Sequence, residues 1–332
     1  MSTEQNLQET TKQKLNEQES STIGQDNIIS SSQNHLKKSP QPIKSISHTL
    51  TPLSEIYQDL RQEILERGTE AKYKTGLKEL DNAIWGVHKK QLLVVGARTS
   101  MGKSCFAMHL ARQVSDVAER RVIYFTLEMS KEQILERLLT NHCQIDNLNL
   151  QRGLAKDEFL AAEKTFKDYI EDLKLLIDDV NGYDFNKMCE VCDVIKPDFV
   201  IIDYIQMVSA KGRKSKLEAI EEYVRGIKQK ACEMNFGVIL LSQLNRAGAG
   251  VEADLIHLKH SGTLEEHPDT VLLVSWEPIP PDEEKDIKGD PNRYFVTVKK
   301  QRHGIVGGKI EVKFLPQYSR FEDGKPIPVG YK

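Results

Sequence analysis

The chain of 332 residues contains no apolar run of about 18 or more, which excludes a membrane-spanning helix. Its first residues lack the apolar stretch of a secretory leader, so export is not expected. An excess of one charge is also missing. Lys and Arg number 46 against 49 Asp and Glu, a formal charge of −3. A globally basic nucleic-acid coat is therefore excluded, and any nucleic-acid site must be local. Five cysteines follow no framework spacing, which suits a reducing, cytoplasmic setting. What is present is ordinary for a packed protein: 39% hydrophobic and 29% charged residues, with length for one large or two small domains.

Residues 1–50 stand apart. Half are Ser, Thr, Asn or Gln, none is aromatic, and five Lys balance five acids. Such a segment buries too little apolar surface to offset its ordering entropy, and it reads as a disordered polar tail. At Thr51 the pattern changes. Thr51 suits an N-cap, Pro52 a first helical position and Glu55 the positive helix end. Leu53, Ile56, Leu60 and Ile64 recur at helical spacing, and Gly68 suits a stop. The spacing predicts an amphipathic linker helix over 51–68, which either folds back on its own chain or packs on a neighbouring subunit.

From residue 69 to 332 the chain reads as one α/β domain. Buried parallel strands are expected at Leu92–Val95, Val122–Thr126, Leu173–Ile177, Phe199–Ile202 and Val238–Leu241. Helices are expected over 103–115, 131–142, 156–171, 184–195 and 217–234. Alternation of this kind implies a mostly parallel sheet flanked by helices. Three further strand-like runs follow: Val271–Trp276, Tyr294–Lys299 and Lys309–Phe314. Gly304, Gly307 and Gly308 between the last two suggest a hairpin.

The strand at Leu92–Val95 runs into Ala97-Arg98-Thr99-Ser100-Met101-Gly102-Lys103-Ser104, and a helix follows. This matches a phosphate-binding loop except at its first position, where Ala97 replaces Gly and Gly96 falls one place early. Loop N–H groups and the helix N-terminus suit a polyphosphate such as ATP. Lys103 adds a cation for its terminal phosphates, and Ser104 an oxygen for Mg²⁺. Asp203 ends the apolar strand Val200–Ile202 and suits the same Mg²⁺. Glu128 and Gln243 also follow strands. Glu128 suits a base for an attacking water and Gln243 a sensor of the terminal phosphate, although each equally fits a plain polar strand end.

Together these residues resemble the RecA-type ATPase core, in particular the C-terminal motor domain of DnaB-type replicative helicases. Six stretches carry the resemblance: Lys74-Thr75-Gly76-Leu77 with Leu80-Asp81; the phosphate loop; Leu127-Glu128-Met129-Ser130; Ile202-Asp203-Tyr204-Ile205-Gln206; Leu241-Ser242-Gln243-Leu244-Asn245-Arg246; and Lys299-Lys300-Gln301-Arg302-His303-Gly304. That family tolerates Ala at the first loop position. The resemblance implies a homo-hexameric ring that moves 5′ to 3′ on single-stranded DNA in a central channel and hydrolyses ATP with Mg²⁺. It further implies that Glu128 is the catalytic carboxylate, Gln243 the phosphate sensor, and Lys300 and Arg302 cations reaching a neighbouring subunit's ATP. Primase or a helicase loader are implied partners. Only the tail and linker helix stand where the family carries a helical N-terminal domain, so a reduced helicase of a mobile element or phage, or one with a separate partner, is expected.

Two loops would face the DNA. Lys211, Arg213, Lys214 and Lys216 place four cations in six residues, a pattern that a solvated charge run fits as well. The second loop runs from Arg246 to Gly262, and its Lys259-His260-Ser261-Gly262 matches the family's DNA-backbone loop, with His260 where an acid is usual. Phosphate contacts need only local charge and main-chain N–H groups. Neither loop interleaves aromatics, so base readout is not expected. A RecA-fold ATPase of recombination or regulation, stimulated by DNA without unwinding it, is the alternative function. Cys189 and Cys192 fall in a helical pattern without a second pair and do not read as a zinc site. Cys105 reads as a small buried residue. Trp85 and Trp276 read as packing residues, with Trp276 alternatively near a nucleotide base.

Overall fold

The computed structural model describes residues 51–66, 71–179, 185–209, 215–245, 253–258, 261–278, 289–302, 304 and 306–325. The chain divides into two compact units, 1–67 and 68–332. The tail expected over 1–50 and the stop at Gly68 lie outside the described residues.

In the first unit, helix α1 spans Leu53–Glu66. The Pro52 carbonyl accepts from the N–H groups of Glu55 and Ile56 at 3.0 and 3.1 Å and starts the helix. Leu53, Ile56, Leu60 and Ile64 recur along it at the expected spacing and are all exposed, as are Tyr57 and Leu65.

The second unit is built on a nine-stranded sheet of order β3-β2-β4-β5-β1-β6-β7-β8-β9. Its strands are β1 Leu92–Ala97, β2 Val122–Thr126, β3 Leu175–Asp178, β4 Phe199–Asp203, β5 Gly237–Gln243, β6 Thr270–Trp276, β7 Arg293–Gln301, β8 Lys309–Leu315 and β9 Arg320–Asp323. The first six in spatial order run parallel, and β7 to β9 extend the sheet antiparallel. The apolar runs of β1, β4 and β5 are buried on both faces because helices cover both. On one face Leu93, Val95, Ile201 and Ile239 pack with Phe106, Leu110, Ile134 and Phe166. These come from α3 Lys103–Arg112, α4 Lys131–Cys143 and α6 Lys156–Asp172; α5 is the short Asn147–Gln151 between them, and α2 Lys78–Ile84 adds Leu80 and Ile84. On the other face Leu92, Val94, Val200 and Leu240 pack with Met188, Ile220, Val224 and Ile227, from α7 Phe185–Ile195 and α8 Lys216–Met234. The short α9, Ser261–Glu266, precedes β6.

Several expectations are corrected. The strand expected at Leu173–Ile177 begins at Leu175, because α6 runs to Asp172 and Leu173 is its extended C-cap. As the terminal strand of the sheet, β3 is also only partly buried. The helix expected over 103–115 gives way after Arg112 to a π-turn, Gln113–Val117. Strand β9 and helices α2, α5 and α9 were not expected from periodicity; each is short, four to seven residues. Trp85 and Trp276 are 49% and 46% exposed and do not serve as core packing.

Candidate functional site

Parallel strands all end on one edge of a sheet, and that edge collects the carboxyl ends of β1, β2, β4 and β5. Ala97 is the last residue of β1, buried and in register with Gln243 of β5. The glycine one place early has a packing reason. A Cβ on Gly96 would stand 2.6 Å from Leu273 Cδ2 and 2.9 Å from Leu258 Cδ2. Beyond Ala97 the loop turns tightly: the N–H of Met101 donates to the Arg98 carbonyl at 3.2 Å, and Ser100 and Gly102 have φ of 64° and 72°. Such angles favour glycine. A Cβ on Gly102 would also press at 3.3 Å on Phe314 and Phe321, which support the loop from β8 and β9.

Gly102 caps α3 without a side-chain bond, and no acid lies in the first turn. The first N–H groups of α3 are thus left to an anion. Lys103 is the first residue of α3 and Ser104 the second; both are half-buried. Lys103 Nζ lies 3.0 Å from Asp203 Oδ1, with the two side chains 11% and 2% exposed. The same ammonium stands 4.2 Å from the Tyr204 ring centroid. Tyr124 donates its hydroxyl to Asp203 Oδ2 at 2.8 Å. Burial and then the Asp203 charge push the Tyr124 hydroxyl well above the usual tyrosine range, so it stays a donor. Burial likewise raises the Cys105 thiol, which fits the inert buried residue expected there.

Glu128 stands exposed on a turn after β2. Thr126 closes that turn: its Oγ1 donates to the Met129 carbonyl at 2.8 Å and accepts from the Met129 N–H at 3.2 Å. Ser130 and Gln133 then form a reciprocal cap on α4. The Leu127 N–H donates to the Asp203 carbonyl at 2.7 Å, so the Glu128 turn is fastened directly to the carboxylate strand. Burial first, then the charges of Glu128 and Asp203, raise the Tyr204 hydroxyl. Gln243 donates Nε2 to Thr99 Oγ1 at 2.6 Å, and its N–H donates to Gln206 Oε1 at 3.2 Å. Gln206 in turn donates to Ser242 Oγ at 2.9 Å. The edge thus brings the loop, Glu128, Asp203 and Gln243 together. Tyr124 and Gln206 were missed as site residues; Gln206 sits in a stretch that carried the resemblance, whereas Tyr124 looks like any apolar strand residue.

Lys300 and Arg302 lie elsewhere. Gln301 is in register with Thr270 at the start of β6, and Thr270 with Leu93 near the start of β1. They therefore occupy the amino edge of the parallel strands. Lys300 Nζ donates to the Glu265 and Glu266 carbonyls, the latter at 3.0 Å. Arg302 Nη2 donates to the carbonyls of Glu266 and His267 at 3.1 and 3.4 Å, and Nη1 lies 3.3 Å from Asp269 Oδ1. Asp269, buried, also accepts from the Leu92 N–H at 2.7 Å and pairs with Lys228. Sequence reasoning gave no sign of Asp269.

Of the candidate DNA-facing residues, Lys211, Arg213, Lys214, Arg246, Lys259 and His260 lie outside the described residues. Lys216 opens α8 and donates to the Val208 carbonyl; burial lowers its ammonium pKa. Gly262 in α9 is exposed, with open space around it. Across the span of the second loop, the Leu244–Leu258 bridge and the Asn245 N–H to His257 carbonyl bond of 2.7 Å close a neck. Trp276, at the carboxyl end of β6, donates Nε1–H to the Pro291 carbonyl at 2.8 Å. Cys189 and Cys192 lie in α7, and no group of three metal-ligating side chains occurs among the described residues.

Known proteins share this arrangement. The chain is 33% identical over 262 residues to the replicative DNA helicase DnaB of Leifsonia xyli subsp. xyli, covering 76% of this chain and 56% of that one. It is 28% identical over 281 residues to the replicative DNA helicase DnaC of Bacillus subtilis, covering 81% and 60%. It thus spans a little over half the length of these curated relatives. A solved ATPase domain aligns at 25% identity and a TM-score of 0.73, over 83% of this chain and all of that one. The structure of a DnaB-like replicative helicase, described with its interactions with primase, shares the fold at 23% identity and a TM-score of 0.70, over 96% and 78%. The family model described as DnaB-like helicase C terminal domain matches residues 73–323, from just before α2 to the end of β9 and so across both edges of the sheet, and the chain belongs to that family.

Proposed function

We propose that this chain is the motor of a DNA helicase: it hydrolyses ATP with Mg²⁺ within a ring of six copies and moves 5′ to 3′ on single-stranded DNA in the central channel. One observation carries the reading. The phosphate loop and the Lys300–Arg302 pair occupy opposite edges of the same sheet. Six residues of β1 separate them, about 20 Å at the rise of a strand. No subunit can bring its own Arg302 to its own phosphates without dismantling β7. A head-to-tail ring pairs two different patches of the chain, here taken to be the amino edge of one copy and the carboxyl edge of the next.

The residues present fit the nucleotide and its ion. The uncapped N-terminus of α3 and the loop N–H groups suit the phosphates, and Lys103 suits their terminal charge. Ser104 and Asp203 offer the oxygens a divalent ion prefers. When bound, Mg²⁺ neutralises charge on the phosphates during transfer. Lys103, now paired with Asp203, would exchange that carboxylate for phosphate. Glu128, exposed on its fastened turn, would orient a water and accept its proton. Gln243 would exchange Thr99 for the terminal phosphate and pass its presence through Gln206 and Leu244 to the neck of the second loop. Arg302 from the adjacent copy would stabilise transition-state charge, so turnover needs assembly. The exposed apolar stripe of α1 suits packing on a neighbouring copy, with residues 1–50 as a polar tail ahead of it. Primase is a fitting further partner, because a structural relative is described with its interactions with primase, and a loader is implied by the family resemblance alone.

The deciding experiment is ATPase rate against protein concentration, with and without single-stranded DNA, beside Arg302→Ala and a forked-duplex unwinding assay. Steep concentration dependence, stimulation by DNA, strand separation and an inactive variant are expected. Flat specific activity with an active variant would overturn the ring motor. Stimulation without strand separation would leave a DNA-dependent ATPase that does not unwind.

A further inference from the structure

The cations of the amino edge are held almost entirely by main-chain oxygens at one place, the C-terminal end of α9. Lys300 donates to the carbonyls of Glu265 and Glu266, and Arg302 to those of Glu266 and His267. The last carbonyls of a helix have no partner within it, and cations there gain from both hydrogen bonding and the helix dipole. A helix of six residues cannot hold itself together in water, since nucleation alone is unfavourable. Leu264 anchors α9 in the core, and the two cations close its far end.

The same strand end grips the preceding segment. Lys299 Nζ lies 3.7 Å from Asp254 Oδ1, and Asp254 and His257 cap each other through reciprocal side-chain bonds. The Arg302 main chain is itself pinned, because its N–H donates to the Asp269 carbonyl at 2.9 Å. A reach toward another subunit must therefore be a swing of the side chain, which breaks its bonds to α9 and to the Asp269 carboxylate, not a movement of β7.

We propose that the carbonyls of residues 265–267 are the resting seat of Lys300 and Arg302, so that engaging a neighbour's nucleotide uncaps α9. The proposal rests on the trans role given to these cations above and adds how that role is transmitted. Lys259 and His260, candidates for DNA contact by sequence, immediately precede α9 in the chain. Phosphate across the interface and the end of α9 would then compete for one pair of side chains. Asp269 acts as a positioning residue, since it holds the pivot of Arg302 by its carbonyl and the resting guanidinium by its carboxylate.

Amide hydrogen exchange on the full chain tests this, at a protein concentration where the ATPase rate has reached its plateau. The probe is a non-hydrolysable ATP analogue with Mg²⁺. Exchange at residues 263–267 is expected to rise about tenfold on adding the analogue, the effect of losing roughly one charge-assisted hydrogen bond. Lys300→Met should show faster exchange without nucleotide and a smaller further rise with it, because Arg302 still leaves its carbonyls. Arg302→Gln should repeat that pattern if Lys300→Met folds poorly. Unchanged or slower exchange at 263–267 in the parent, with ATPase still steeply concentration-dependent, overturns the seat while leaving the ring motor standing. A flat ATPase with active Arg302→Ala overturns both.

Discussion

At the carboxyl edge of the sheet, reactive side chains hold one another: Lys103 with Asp203, Asp203 with Tyr124, Gln243 with Thr99. At the amino edge, Lys300 and Arg302 are held mainly by main-chain carbonyls and a single carboxylate. The difference has consequences for what each edge can do. Side-chain pairs at the carboxyl edge can be exchanged for a ligand's charges with the backbone unmoved, which is the property of a preorganised binding site. Cations seated on carbonyls cannot leave without uncapping a helix. On the proposed reading the first edge receives a ligand, and the second converts an encounter into a shift of the chain.

The sharpest way to break this comparison is Arg302→Ala. Turnover of the assembled protein should fall about 10³-fold or more, while nucleotide affinity of the dilute subunit stays that of the parent. Equilibrium binding beside steady-state ATPase separates the two, and a loss of affinity in the dilute subunit would place Arg302 in cis. Glu128→Gln should lower turnover by about 10² to 10⁴ with nucleotide affinity retained, as expected of a proton acceptor on the carboxyl edge. A rise in KM with unchanged kcat would instead make Glu128 a binding residue.

Two smaller effects concern the buried polar groups beneath the phosphate edge. His109 in α3 is buried, its Nε2 lies 2.8 Å from the Thr75 carbonyl, and burial lowers its pKa from 6.5 to about 4. The unfolded chain binds this proton more readily. Its contribution is therefore complete above pH 6.5 and falls away as pH drops toward 4, by up to about 3 kcal/mol. Denaturant melts across that window should show His109→Gln with a flatter profile than the parent; parallel profiles would mean that His109 does not titrate on unfolding. Tyr124→Phe leaves Asp203 Oδ2 without its donor and should cost about 2 kcal/mol, read as a lower midpoint at pH 7. An unchanged midpoint would mean that water replaces the hydroxyl at no cost.

Much of the phosphate edge was legible because its signals are local. A strand, a loop of fixed length and a helix start occupy consecutive residues, so the spacing of Gly102, Lys103 and Ser104 already describes their geometry. Asp203, Glu128 and Gln243 were legible as polar residues ending apolar strands, since parallel strands end on one edge whatever their order. Their partners were not. Tyr124 and Asp203 are 79 residues apart, and nothing in the run Val122–Thr126 distinguishes its tyrosine from a core residue. The packing expectations for Trp85 and Trp276 failed for a similar reason, because size and apolarity do not say which face a terminal residue of an element presents. Strand β9 has four residues and earns its place from pairing with β8, not from its own pattern.

By itself, then, the sequence determined the α/β alternation, the phosphate loop and its family, because periods of 2.0 and 3.6 residues and a fixed loop length act over short spans. Only the tertiary structure decided that Lys300 and Arg302 lie on the edge opposite that loop, that Asp269 and the carbonyls of α9 hold them, and that Gln206 links Gln243 to Ser242. The physical reason is strand direction. The reversal from parallel β6 to antiparallel β7 sends the end of β7 back to the start of β1, and that reversal is set by pairing between residues as far apart as Thr270 and Gln301.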